Sequence, residues 1–220
     1  MRFDNFSTVE GVYAVESTVK GSRFIGVSMP CPDAAAVQSN LSEISARYPQ
    51  ATHYCYAAVF GDNERFSDNG EPSGTAGRPI LGVLRGSGLR DVMVVVVRYF
   101  GGTLLGTGGL VKAYTESSTA ALEGAPKAVR RACAEFTVVL DYASFGSFGP
   151  RFSDILADRP ECEYSERVLV KARVPASRAG EFEERVASLT GGKSRAFRVR
   201  DVYVRPKHHL DWPHTGRHAP

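Results

Sequence analysis

Residues 94–114, VVVVRYFGGTLLGTGGLVKAY, decide how the first half of the chain folds. The β-branched run 91–97 is apolar at every position from 92 on, the pattern of a strand covered on both faces. It delivers Arg98-Tyr99-Phe100 to a glycine-rich loop, 101–109. A helix over 110–123 is expected next, with Leu110, Tyr114, Ser117 and Ala121 in one row, stopped by Gly124-Ala125-Pro126. Upstream, β-rich runs at 11–20 and 23–29 flank Gly21-Ser22 and read as a hairpin. Pro32-Asp33 opens a helix carrying Val37, Leu41, Ile44 and Tyr48 on one stripe. A strand over 52–60 places His53 and Cys55 on one face, with Tyr54, Tyr56 and Phe60 on the other. The segment 61–77 is polar and turn-prone, and 79–84 suits a short helix.

The pattern resets around 124–131, and the remainder reads β-α-β-β-α-β. Strands are expected at 136–140, 161–164, 167–174 and 195–204, with helices over 145–156 and 176–189. That order is the split βαβ, ferredoxin-like arrangement. The fold class is therefore α+β, with domains at 1–131 and 132–205 and a loose tail, 206–220, holding His208, His209, His214 and His218.

Composition narrows the function classes. Of 220 residues, 43% are hydrophobic and 23% charged, a globular balance that excludes wholesale disorder. The longest apolar run, 92–97, is far short of the roughly 20 residues that span a bilayer, so no membrane partner is expected. Asp4 and Glu10 interrupt any signal-peptide core, which points to the cytoplasm. The cysteines, at 31, 55, 133 and 162, form no C-x-x-C pair and read as reduced thiols. With 27 basic and 24 acidic side chains the net charge is only +3, too small to imply nucleic-acid binding. Its distribution says more. Lys193, Arg195, Arg198, Arg200, Arg205 and Lys207 cluster near the end of the chain, opposed there only by Asp201.

Eleven of the 22 glycines lie between residues 70 and 109. Glycine costs conformational entropy, so backbone approach or positive φ must require it there. A helix opening near Thr107-Gly108-Gly109 presents unpaired N–H groups that attract anions. This makes Gly101, Gly102, Gly106, Gly108 and Gly109 anion-site candidates, with Arg98 and Lys112 adding charge. Neither P-loop nor G-x-G-x-x-G spacing is present. The same residues also read as tight strand–helix packing, with Arg98 paired to Asp68 or Glu71. Those two carboxylates could hold Mg²⁺, or simply serve the turn Asp68-Asn69-Gly70. His53 beside Cys55 could be a nucleophile pair or half a metal site, but no third residue is apparent; a half-buried His and a buried Cys are the plainer reading.

The strings GEPSGTAG (70–77), RYFGGTLLG (98–106) and GGLVKAY (108–114), with SRFIG (22–26) and HYCYA (53–57), resemble the YigZ/IMPACT family signature. The resemblance covers about residues 15–124, and 132–204 is similar to the second domain of the bacterial two-domain form. Asn69 stands where the family commonly has a second acidic residue, so no paired-carboxylate role carries over. The resemblance implies a first domain like the second domain of a small-subunit ribosomal protein, a sheet with helices on one face. It implies a second domain like the RNA-contacting last domain of elongation factor G. Eukaryotic relatives regulate translation initiation, and no established reaction comes with the bacterial members.

Two functions follow as expectations. One is a non-catalytic translation-associated regulator binding RNA, ribosome or a protein partner, without a cofactor. Its nucleic-acid contacts would be Lys193, Arg195, Arg198, Arg200 and Tyr203, arginines being expected on one face of the last strand with Phe197 and Val199 on the other. The alternative is a phosphate-binding or hydrolytic small-molecule enzyme built on the glycine loops.

Overall fold

The computed structural model describes residues 4–205, so the tail 206–220 with its four histidines lies outside the described residues. The chain divides into two compact units, Phe6–Ala128 and a second made mainly of residues from 129 onward.

The first unit contains β1 (Phe6–Val9), β2 (Tyr13–Val19), β3 (Ser22–Pro30), α1 (Ala34–Arg47), β4 (His53–Phe60), β5 (Asn63–Ser67), α2 (Gly77–Ser87), β6 (Val92–Tyr99) and α3 (Gly106–Gly124). Five strands form an antiparallel sheet in the order β2-β3-β6-β4-β5. The run in β6 is buried on both sides, as its composition requires. Val92, Val94 and Val96 join Phe24, Cys55, Ala57 and the buried residues of α2 and α3. Met93, Val95 and Val97 instead join Ile25, Val27, Met29 and the Val37 and Ile44 stripe of α1. Helices therefore cover both faces of this sheet, which corrects the one-sided arrangement expected. The reason is in β3, where Ile25, Val27 and Met29 alternate with Phe24, Gly26 and Ser28 and give both faces something to bury. Asp33 caps α1, its carboxylate accepting from Ala36 N at 2.8 Å.

The second unit contains β7 (Lys127–Leu140, which starts at the junction), α4 (Tyr142–Phe152), β8 (Glu161–Tyr164), β9 (Val168–Pro175), a 3₁₀ turn (Ala176–Arg178), α5 (Ala179–Thr190) and β10 (Phe197–Val204). Four of its strands run antiparallel in the order β8-β9-β7-β10. The core side carries Phe136, Val138 and Leu140 against Phe148, Phe152 and Phe182. Helix α4 begins three residues before the expected start because Asp141 caps it, accepting from Ser144 N at 2.7 Å, and Pro150 falls near its end.

Candidate functional site

Sheet register assembles the site in the first unit. Phe24 of β3 lies opposite Arg98 of β6, and Arg98 opposite His53 of β4. Three side chains separated by dozens of residues thus stand abreast at one end of the face that carries α2 and α3. Arg98 is only 4% exposed. Its guanidinium is within 5.3 Å of the Phe24 ring centroid and 5.5 Å of the Phe100 centroid, a doubled cation–π contact. Nη1 donates to Glu71 Oε1 at 2.6 Å and Nη2 to Ser22 Oγ at 3.2 Å. Nε is buried with no hydrogen-bond partner among the described residues.

Glu71 reaches the same place from the loop between β5 and α2. Its Oε1 also accepts from Tyr114 O–H at 2.8 Å, and His53 Nε2 stands 3.9 Å from it. Oε2 receives no hydrogen bond among the described residues. The contact of 2.8 Å between His53 Nδ1 and Asn69 O fixes the imidazole tautomer. A carbonyl can only accept, so Nδ1 carries a proton and Nε2 is the nitrogen turned toward Glu71. Cys55 lies deeper on the same face. Its thiol donates to Asp68 O and approaches the Tyr114 hydroxyl. Burial pushes that thiol up to about 12, so it stays protonated at neutral pH and is no thiolate nucleophile.

Asp68 does different work. Its carboxylate accepts from Gly74 N at 2.9 Å, Ala76 N at 3.0 Å and Gly77 N at 2.8 Å, closing the loop and satisfying the start of α2. Burial opposes its charge, but the three amides outweigh burial and hold the carboxyl below its usual range. Folded-state depression of a carboxyl means stability that is present above the unfolded value, near 3.9, and lost as pH falls through the folded one. Asp68→Ala is expected to cost roughly 2–3 kcal/mol at neutral pH. Asp68→Asn costs less, and its deficit relative to the parent shrinks below about pH 4. Urea denaturation across pH measures both; a pH-independent deficit would show that the charge contributes nothing. Asn69 takes the positive φ of +44° that the turn demands and accepts from Tyr54 N through its side chain.

The glycines separate by cause. A Cβ on Gly101 would sit 1.9 Å from the carbonyl carbon of Gly21, and one on Gly26 would sit 2.3 Å from Ser117 O. Gly102 and Gly106 have φ of +84° and +72°. Gly108 has neither constraint, with open space where its side chain would be. Helix α3 begins at Gly106, next to the expected opening near Thr107 and ahead of the apolar row from Leu110, so Gly106-Thr107-Gly108-Gly109 form its first turn, and no side chain caps them.

That turn borders a cavity of about 330 Å³. It is lined by His53, Glu71 and Arg98, by the apolar side chains of Pro72, Phe100, Leu104, Leu105 and Leu110, and by Gly106 and Thr107. Of the residues singled out in the sequence, Glu71, Arg98 and Gly106 meet here. Lys112 instead points to solvent, with Glu116 at 3.8 Å. Pairing His53 with Cys55 obscured its real neighbour, Glu71, and the apolar walls were not visible as a set because they close only when the 101–105 loop folds over the sheet end. Among the described residues no cluster of His, Cys, Asp and Glu is arranged to hold a metal ion, and no helix is long and apolar enough to cross a membrane.

In the second unit, Lys193, Arg195, Arg198 and Arg200 are exposed and Tyr203 is half-buried. A bulge between Arg198 and Arg200 breaks the expected alternation, and Phe197 and Val199 are exposed as well. Arg198 pairs with Asp201. Arg200 Nε donates to Glu135 Oε1 at 2.9 Å, while Arg173 holds the other oxygen. Arg195 has no ion-pair partner among the described residues.

Residues 20–122 match the Impact N-terminal domain family model. The chain is 33% identical over 192 residues to "IMPACT family member YigZ" of Escherichia coli (strain K12), covering 85% of this chain and 94% of that protein. It is 34% identical over 193 residues to "IMPACT family member YvyE" of Bacillus subtilis (strain 168), covering 86% and 89%. A crystal structure described only as that of a hypothetical protein aligns with a TM-score of 0.66 and 31% identity, covering 90% of this chain and 98% of that one.

Proposed function

Since the chain belongs to the IMPACT family, we propose that it is a non-catalytic, translation-associated accessory protein that binds RNA, on the ribosome or free, through its second unit. The observation that carries this reading is the exposed basic run from Lys193 to Arg200, leading into and along β10, whose outer edge has no strand partner among the described residues. Basic side chains on an open strand can neutralise phosphates, and exposed Phe197 offers a ring on which an unpaired base can stack. The βαββαβ order of this unit suits the likeness to the last domain of elongation factor G. Ion pairing to Glu135 and Asp201 tempers Arg200 and Arg198, so Arg195 is the cation most available to a phosphate.

The test is RNA binding by the full chain carrying Arg195→Glu and Arg198→Glu, measured with a short single-stranded RNA between about 50 and 200 mM salt. Affinity should fall roughly tenfold or more at the lower salt, and the slope of log affinity on log salt should flatten by about one for each lost phosphate contact. Unchanged affinity and slope would remove this surface from the reading.

A further inference from the structure

Two hydrogen-bond acceptors on residues that line the cavity are answered by nothing in the described chain. Arg98 and Tyr114 both donate to Glu71 Oε1, and Oε2 receives no hydrogen bond among the described residues. The Glu71 side chain is 3% exposed, and it lines the cavity. The unpartnered side-chain atoms that are sealed from solvent are Arg98 Nε and Asp158 Oδ1; Glu71 Oε2 is not one of them, so a donor can reach it. His53 supplies the second acceptor. Its Nδ1 proton is engaged by Asn69 O, and Nε2, 3.9 Å from Glu71 Oε1, makes no hydrogen bond among the described residues. That nitrogen is not sealed either, and the His53 side chain, 18% exposed, lines the same cavity. Buried polar groups in folded proteins are nearly always partnered, so an open carboxylate oxygen beside a second open acceptor calls for a donor from outside. The other side chains of the lining are mostly apolar: Pro72, Phe100, Leu104, Leu105 and Leu110.

We propose that this cavity binds a neutral small molecule with an apolar body and a hydrogen-bond-donor head, a hydroxyl or the N–H of a carboxamide. The head donates to Glu71 Oε2, to His53 Nε2 or, with two N–H bonds, to both. The body lies among Phe100, Leu104, Leu105 and Leu110. At about 330 Å³ the cavity falls at the small end of the range that small-molecule sites occupy, roughly 300–1,000 Å³. Charge selects against ions of either sign. Arg98 at 2.6 Å already matches the charge of Glu71, so an ammonium would be an unmatched cation in apolar surroundings, facing the positive end of α3. A carboxylate or phosphate would meet the lone pairs of Oε2 and Nε2, and its charge would be unmatched as well. A wholly apolar ligand would cover both acceptors and satisfy neither. The site lies within the first unit and stands independently of RNA binding by the second.

Probes that share a phenylpropyl body and differ in the head separate the possibilities: 3-phenylpropanol, 3-phenylpropionamide, 3-phenylpropyl fluoride, 3-phenylpropionate and 3-phenylpropylammonium. Each is titrated into the full chain at neutral pH while backbone amide resonances are followed by NMR. The alcohol, the amide or both should bind about tenfold or more tightly than either ion and than the fluoride, which is close to the hydroxyl in size but donates nothing. Which of the two does so identifies the head group, and the shifts should centre on residues 53, 71 and 104–107. His53→Phe keeps a ring and removes Nε2. Glu71→Gln keeps an oxygen for Arg98 and Tyr114 and puts an N–H donor in place of the open oxygen. Each should cut the preference for the donor head over the fluoride by about threefold or more, with fluoride affinity itself held within about twofold. His53 is only half-buried, so His53→Phe keeps the test intact even where Glu71→Gln does not fold. Fluoride binding equal to that of the donors, an ion binding more tightly than both neutral donors, no binding by any probe, or a preference that survives both variants would each overturn the proposal.

Discussion

Glu71→Ala should destabilise the first unit by roughly 3–5 kcal/mol, the usual consequence of deleting one partner of a buried ion pair. The magnitude follows from what remains. Arg98 and Glu71 side chains are 5% and 3% exposed, so neither charge has water to fall back on. Without Glu71, a guanidinium whose Nε already lacks a partner loses its carboxylate, and the Tyr114 hydroxyl loses its acceptor. Glu71→Gln keeps an oxygen for both donors and should lie between parent and alanine variant. The double variant Arg98→Met with Glu71→Leu removes both charges in similar volume and should recover much of the loss. Chemical denaturation of the parent, Arg98→Met, Glu71→Leu and the double variant closes the cycle, with Glu71→Ala and Glu71→Gln measured beside it. A Glu71→Ala cost below about 1 kcal/mol would mean the pair is better solvated than its burial indicates.

The second large effect belongs to two glycines that fold neighbouring backbone into their own space. Gly26→Ala drives a methyl into Ser117 O and against the Ala121 side chain, pushing α3 away from β3. Gly101→Ala drives one into Gly21 and Ser22 N, where the loop after β6 crosses the β2–β3 hairpin. Backbone cannot step aside as a side-chain tip can, so each variant should lose roughly 3 kcal/mol or more, or fail to accumulate folded. Gly108→Ala is the matched control. Its Cβ meets nothing and its φ is not in the left-handed region, so alanine should be neutral or stabilising by up to about 1 kcal/mol. Thermal melts of the three decide the matter; similar losses in all three would show that glycine entropy, not backbone approach, governs this region.

These positions also show what could be read in advance. The valine run of β6 and the Val37–Ile44 stripe of α1 announce their burial through periodicity alone, a local property. The pairing of Arg98 with a carboxylate was open between Asp68 and Glu71, and only the folded loop decides it: Asp68 turns inward to three amides of its own segment, freeing Glu71 for Arg98. Strand β5, NERFS, lies in a segment that reads as turn-prone, because a polar edge strand with four of its five residues exposed shows no apolar alternation. The start of α3 is legible in part: an opening near Thr107-Gly108-Gly109 is expected, while the apolar row marks the helix only from Leu110. Three glycines in four residues have poor helix propensity, and packing of Leu110, Ala113 and Tyr114 onto the sheet overrides it. The cavity was the least legible feature, since His53, Glu71, Arg98 and Leu105 meet only through strand register and loop closure.

The triple grip of Asp68 on its loop has a thermodynamic corollary for any ligand that reaches Glu71. With Gly74, Ala76 and Gly77 tied to one carboxylate and the Thr75 hydroxyl bonded to Pro72 O, the wall bearing Glu71 loses its conformational entropy when the chain folds rather than when a visitor arrives. A ligand that meets that side pays less for ordering the wall than it would on an untied loop.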